Sequence, residues 1–256
     1  MKFVILGCGS SMGVPRPDGY FGKCDPKNKK NFRSRCCALI QTKSENVLID
    51  TSPDLRHQLI KNKVNKIDRV FYSHMHADQT HGINDLRVFF IQKKKTIPVY
   101  ADNATKKYLF DTFKYCFVSN SIEYPAILKL NSIGKNLELF DGRKKIKVKS
   151  VKVKHGNIDS ICYIIDKKIA YISDISDISK KNFKYFKNLE YLIIDCLWLR
   201  YHPSHLNLEK SLKFINIFKP KKAILTNLHS DLDYNFLQKT LPKNIVPAFD
   251  GLTIKL

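Results

Sequence analysis

Several features are absent from this 256-residue chain, and each absence narrows what it can do. No stretch approaches eighteen consecutive apolar residues, so a membrane-spanning helix is not expected. The seven cysteines (Cys8, Cys24, Cys36, Cys37, Cys116, Cys162 and Cys196) include no C-x-x-C pair, so a cysteine-only zinc site lacks its usual spacing. Their number is odd and the chain is not small, which predicts reduced thiols serving as small core residues. No Pro/Gly/Ser-rich linker, fixed-period repeat or low-complexity tract divides the sequence, so one domain over residues 1–256 is expected. The opening "MKFVILGCGSSMGVP" has an apolar run too short for a signal peptide; it reads as a first strand and a Gly-rich turn, and the expected location is the cytoplasm.

Acidic residues are scarce too: 23 Asp and Glu stand against 45 Lys and Arg, a formal net charge of +22. Arginine supplies only eight of those 45. Lysine enrichment alongside many Asn and Ile fits an AT-biased coding sequence, so "KNKK" (27–30) and "KKK" (93–95) read as solvated loops rather than docking patches. The charge favours a phosphate-bearing substrate over a cationic one, and leaves nucleic acid possible but not favoured.

Histidine is sparse as well, at eight residues, yet three of the eight crowd into "SHMHADQTHG" (73–82) as His74, His76 and His81, with Asp78 among them. Around this cluster, short apolar strands alternate with helices. Strands are predicted at 2–7, 36–41, 46–50, 69–73, 97–101, 145–155, 160–166, 168–174, 190–195 and 222–229. Helices are predicted at 54–62, where Ser52-Pro53 suits a first turn, and at 83–92, 104–117, 207–218 and near 232–240, before two short terminal strands. Four strands run into a residue type that divalent metals use: "FYSHMHAD", "VKVKH", "AYISD" and "AILTNLH". Strand ends of a mixed α/β fold are where such sites assemble.

"SHMHAD" (73–78), "KHG" (154–156), "ISD" (172–174) and "LTNLH" (225–229), in that order, resemble the metallo-β-lactamase superfamily over nearly the whole chain. "GCGSSMGVP" (7–15) with "GKCDP", and "HPSHLNLE" (202–209), resemble the branch of cyclic phosphodiesterases of the phosphonate pathway, which open phosphoribosyl 1,2-cyclic phosphate; transfer-RNA 3′-processing nucleases are more distant. The resemblance implies an α/β fold, a four-layer αββα sandwich with metals at one edge of the two sheets. It places His74, His76 and His155 on one metal, Asp78 and His229 on another, and Asp174 between them.

The superfamily's remaining ligand falls on Gln79, a neutral oxygen donor weaker than imidazole. Oxygen donors favour harder ions, so the expected cofactor is Zn²⁺, Mn²⁺ or both, one or two per chain. His81 is an alternative donor, read instead as supporting a ligand or facing substrate. The branch's cysteine cluster after the first strand is reduced here to Cys24, so no structural zinc is expected.

The chemistry implied is hydrolysis of a small cyclic or nucleotide-like phosphate ester. A metal lowers the pKa of bound water from about 15.7 to about 7, and two metals roughly 3.5–4 Å apart also clamp the phosphate. Asp78 would ligate and hold the attacking oxygen in line, and His205 is the candidate general acid, with His202 as fallback. Asp50 either fixes a ligand imidazole or caps a turn. The Gly-rich turn either cradles phosphate or merely turns. Asp85 and Arg87 read as a structural pair. RNA processing, a non-catalytic metal-binding role and other hydrolyses remain rivals, and a homodimer is compatible with the sequence.

Overall fold

The computed structural model describes residues 1–119 and 121–256. In chain order the first half contains β1 (Lys2–Gly7), β2 (Cys37–Gln41), β3 (Asn46–Ile49), α1 (Leu55–Lys61), β4 (Arg69–Phe71), α2 (Ala77–Thr80), α3 (Arg87–Lys93), β5 (Ile97–Ala101), α4 (Asn103–Thr112), α5 (Lys114–Phe117) and β6 (Leu128–Ser132). The second contains β7 (Asn136–Asp141), β8 (Lys144–His155), β9 (Ile158–Ile165), β10 (Ile169–Ile172), β11 (Tyr191–Asp195), α6 (Leu208–Phe218), β12 (Lys222–Thr226), α7 (Tyr234–Thr240), β13 (Ile245–Pro247) and β14 (Leu252–Lys255). Two seven-stranded sheets result, ordered β14-β1-β2-β3-β4-β5-β6 and β13-β12-β11-β10-β9-β8-β7.

The sheets stack because their strands carry apolar residues on both faces. In β1, Phe3 and Ile5 point between the sheets, where they meet Phe71, Tyr163, Tyr171 and Ile193; Val4 and Leu6 point outwards beneath α1 and α3. On the other side Val153, Ile172, Ile194 and Leu225 pack under α6 and α7. Helix, sheet, sheet and helix therefore form four layers, as the sequence led one to expect.

This arrangement gathers the strand ends at one edge. β10, β11 and β12 are parallel neighbours, and β8 runs with β10 because each is antiparallel to β9. In the first sheet β3 and β4 are also parallel. All seven cysteines are buried and unpaired. No helix among the described residues is long and apolar enough to cross a membrane.

Some boundaries differ from expectation. β6 and β7 are edge strands whose half-exposed pattern of mixed polar and apolar residues hides them. The helix expected at 104–117 breaks at Phe113, whose φ of −121° is not helical. That expected at 83–92 begins as a 3₁₀ turn (Ile83–Leu86) before α3. Asp85 accepts a hydrogen bond from the Arg56 backbone N–H, and its expected pairing with Arg87 is not formed among the described contacts.

Candidate metal centre

His74 and His76 lie on the short connection between β4 and α2, and His155 is the last residue of β8. Ser204 O accepts a hydrogen bond from His155 Nδ1–H at 2.7 Å, which leaves the ring's lone pair on Nε2. That Nε2 stands 3.2 Å from His76 Nδ1, which in turn stands 3.0 Å from His74 Nε2. On the far side of His74, Nδ1 is 2.9 Å from Ser73 Oγ. Burial holds the His74 imidazole down at about 3, and lowers His76 and His155 as well, so protons do not fill the gap between them. Three imidazole nitrogens facing one another need a cation, and a His₃ set suits a divalent one.

Asp174, two residues beyond β10, adjoins this half through His155. One of its oxygens lies within 4.8 Å of ligand atoms of both His155 and His205. Burial alone would raise its carboxyl, but the imidazoles of His74, His205 and His155 outweigh that and keep it low. Asp174 caps no helix; the following 3₁₀ turn at Lys180–Tyr185 is preceded by Ser179.

The other half is different. Asp78 and Gln79 both lie in α2. Gln79 is fully buried, and its Nε2 donates to Asp78 Oδ2 at 3.1 Å and to Asp174 Oδ2 at 3.4 Å, while its Oε1 has no partner. Burial, with the Asp174 charge, pushes the Asp78 carboxyl up to about 6. His229, three residues beyond β12, lies against Trp198 with ring centroids 4.9 Å apart and planes tilted by 32°, and its Nδ1 accepts from the Asp231 backbone N–H at 3.2 Å. It joins neither group of converging donors. The first half thus fits a divalent ion, and the second, as arranged, does not. His81 turns to Tyr108, with Nε2 3.0 Å from the hydroxyl.

His205 Nδ1 lies 2.8 Å from Asp195 Oδ2, and its ring meets His155 edge-on at 4.6 Å. Burial would lower this imidazole, but the charge of Asp195, the hydrogen bond to it and the charges of Asp174 and Asp78 raise it to about 9. Burial lifts Asp195 to about 6 against the pull of His205, so at neutral pH the two form an ion pair. Asn227 Nδ2 donates to Asp195 Oδ1 at 3.2 Å and reaches Asp174 Oδ1 at 3.5 Å. His205 does not cap α6; Asn207 does, accepting from Lys210 N. The His202 ring is 5.1 Å from that of His205, and its Nδ1 accepts from Ser204 N.

Asp50 accepts the Ser73 N–H at 2.7 Å on one oxygen; the other is buried without a partner. It therefore bears on His74 through Ser73, not directly. Sequence reasoning missed Asp195, Asn227 and Trp198. Asp195 closes the predicted strand "EYLIID" and obeys the same strand-end rule that exposed Asp174. Asn227 and Trp198 lie on loops and carried no periodic signal.

The model of a beta-lactamase superfamily domain matches residues 45–227. The chain belongs to the metallo-β-lactamase superfamily. It is also 30% identical to a solved structure described as a new diphosphatase from the PhnP family, with a TM-score of 0.88 over 100% of this chain and 97% of that one, which puts it in the PhnP-like branch. An octanoyltransferase of Porphyromonas gingivalis (strain ATCC BAA-308 / W83) is 28% identical over 258 residues, covering 98% of this chain and 51% of the relative. A ribonuclease Z of Prochlorococcus marinus (strain MIT 9215) is 28% identical over 134 residues, 51% of this chain and 42% of that protein. The chain spans about half the length of the curated relatives it matches.

Adding Zn²⁺ to chelator-treated protein should raise Tm, since ligand binding to the folded state alone stabilises it. His76→Asn should abolish that rise while leaving the metal-free Tm nearly unchanged, because His76 is exposed; thermal scans of both proteins check this. In chelator-treated protein, His205 contributes stability that is fully present below its unfolded value, about 6.5, and is lost as pH rises through its folded value, about 9. Urea midpoints should fall from pH 7 to pH 10, and fall less in His205→Asn.

Proposed function

We propose that the chain is a metal-dependent phosphodiesterase that opens a small cyclic or nucleotide-like phosphate ester. The observation that carries this reading is the adjacency of a cation-demanding nitrogen triad, His74, His76 and His155, to a protonated imidazole, His205. Ester hydrolysis needs both an electrophilic site and a proton for the leaving oxygen.

His74, His76, His155 and Asp174 would hold a divalent ion, zinc or manganese, which when bound supplies an activated water and positive charge against the phosphate. The chain's own residues do the rest. Asp174 and Asp78 face the same space and orient the incoming water by accepting its hydrogens. His205 keeps Nδ1–H on Asp195 and so presents Nε2–H as the proton for the departing alkoxide. Asp195 fixes the ring and stabilises its charged form, and Asn227 anchors Asp195.

Phosphate is favoured as the reacting group by the charge nearby. A groove of about 1120 Å³ touches His74 and is lined by five lysines, Lys135, Lys149 and Lys181 together with Lys152 and Lys154, which pair with Asp159, so its net charge is positive. Lys152 and Lys154 share a face of β8 with Ile146 and Val148, where the two sheets splay apart. The groove also supports a second reading, in which a single RNA strand lies along it, backbone on the lysines. The transfer reaction named for the longer octanoyltransferase is not carried over, because half of that protein lies outside the match. We place the protein in the cytoplasm, acting as one domain.

Metal-loaded protein should be assayed against cyclic nucleotides, phosphoribosyl 1,2-cyclic phosphate, bis-p-nitrophenyl phosphate, a lactone, a thioester and a labelled single-stranded RNA. Turnover confined to the lactone or thioester would sink the phosphodiesterase reading. Processing of RNA, with affinity falling steeply with salt, would favour the second reading over the first. His205→Ala should lower kcat about 10²–10⁴-fold on alkyl esters, but far less on the p-nitrophenyl ester, whose leaving group needs no proton; equal losses on both would remove His205 as the acid.

A further inference from the structure

The pairing of Gln79 with both carboxylates has a specific chemical meaning. An amide –NH₂ has two hydrogens, and here both are spent, one on Asp78 Oδ2 at 3.1 Å and one on Asp174 Oδ2 at 3.4 Å. Those are the two carboxylates a second metal ion would share. The amide atom able to ligate a cation is Oε1, and Oε1 is buried with no partner, on the side away from the carboxylates. Turning the amide over would set a partially negative oxygen against two carboxylate oxygens and break both hydrogen bonds.

The backbone holds the amide there. Gln79 N donates to His76 O at 3.0 Å, and Gln79 O accepts from Thr51 N at 2.8 Å. The side chain is fully enclosed, so it cannot swing out to solvent without opening the loop.

The other expected ligand of that half is turned to a different task. His229 Nδ1 accepts the Asp231 N–H, so the ring's single lone pair is used within its own turn, and Nε2 carries the proton. The ring lies beside Trp198, its plane tilted by 32° to the indole, whose Nε1–H is in turn fixed by Asp231 Oδ2 at 2.7 Å. Both Gln79 and His229 therefore present N–H groups where a second metal would need lone pairs.

We propose that this chain holds one catalytic metal ion, in the His74–His76–His155–Asp174 half, and that the Gln79 amide takes the place of a second ion by bridging Asp78 and Asp174. The inference rests on the metal-site part of the proposed function, not on its substrate.

The test is a metal count. Full-length protein is loaded with excess Zn²⁺ or, separately, Mn²⁺, passed through a desalting column and measured by mass spectrometry for metal per chain. One ion per native chain is expected with either metal, and two per chain in Gln79→His, which exchanges the bridging donors for a lone pair. Gln79→Glu, isosteric with the native side chain, should also admit a second ion and guards against misfolding of the histidine variant. Two ions in native protein would overturn the proposal. One ion in all three proteins would show that Gln79 is not what excludes the second, and would overturn its assigned role. A native protein with one ion and no turnover of any phosphodiester would count against the proposed function while leaving this inference standing.

Discussion

Everything at the functional edge depends on keeping the Asp174 carboxylate ionised while it is nearly excluded from water. A buried carboxylate is costly unless cations or hydrogen-bond donors surround it. Here the protonated His205 supplies the favourable charge, the imidazoles of His74 and His155 also act to hold the carboxyl low, and the amides of Gln79 and Asn227 supply N–H groups. Each comes from a different stretch of chain: the ends of β4 and β8, α2, the loop after β11 and the end of β12. The carboxylate is thus the point at which both sheets are tied together, and displacing any one of these elements leaves a charge uncompensated.

That demand explains several local irregularities. Asp50 and Asn227 adopt left-handed backbone conformations, with φ of 66° and 61°, although neither is glycine. Such conformations are tolerated where surrounding contacts over-determine them. At Asp50 the turn delivers a carboxyl oxygen to the Ser73 N–H and so sets the loop bearing His74. At Asn227 it lets the side-chain amide bridge Asp195 and Asp174 before the chain continues to His229. These hydrogen bonds fix where the loops place their side chains, as a site of defined geometry requires.

The two halves of the site are built from opposite kinds of group. One half offers lone pairs, with imidazole N–H groups used on the outer side where Ser204 O anchors His155. In the other, the Gln79 N–H groups are taken up by its two carboxylates, and His229 Nδ1 is used within its own turn beside Trp198. The His205–Asp195 pair lies next to the first half and carries the proton that ester cleavage would require. Around them, the lysines of the splayed sheet edge bias the approach towards anionic groups.

Much of this could be read from the residues alone. The alternation of Phe3, Val4, Ile5 and Leu6, and the apolar runs at 69–73, 190–195 and 222–226, specify strands buried on both faces, because side-chain direction along a strand has period two. The order of His74, His76, His155 and Asp174 at strand ends pointed to one edge of a layered α/β fold, since parallel strands bring their ends together. Other features had no local signal. β6 and β7 are edge strands and largely exposed, so burial did not mark them. Asp195 looked like any strand-terminal acid until folding set it 2.8 Å from a histidine ten residues away. Whether Gln79 would turn an oxygen or an N–H towards the site, and whether His229 would face inwards or lie against Trp198, depended on partners distant in the chain. Residue type determines which atoms can donate or accept; only the tertiary structure decides which of those atoms meet, because hydrogen bonds and metal ligation depend on direction at a scale of tenths of an ångström.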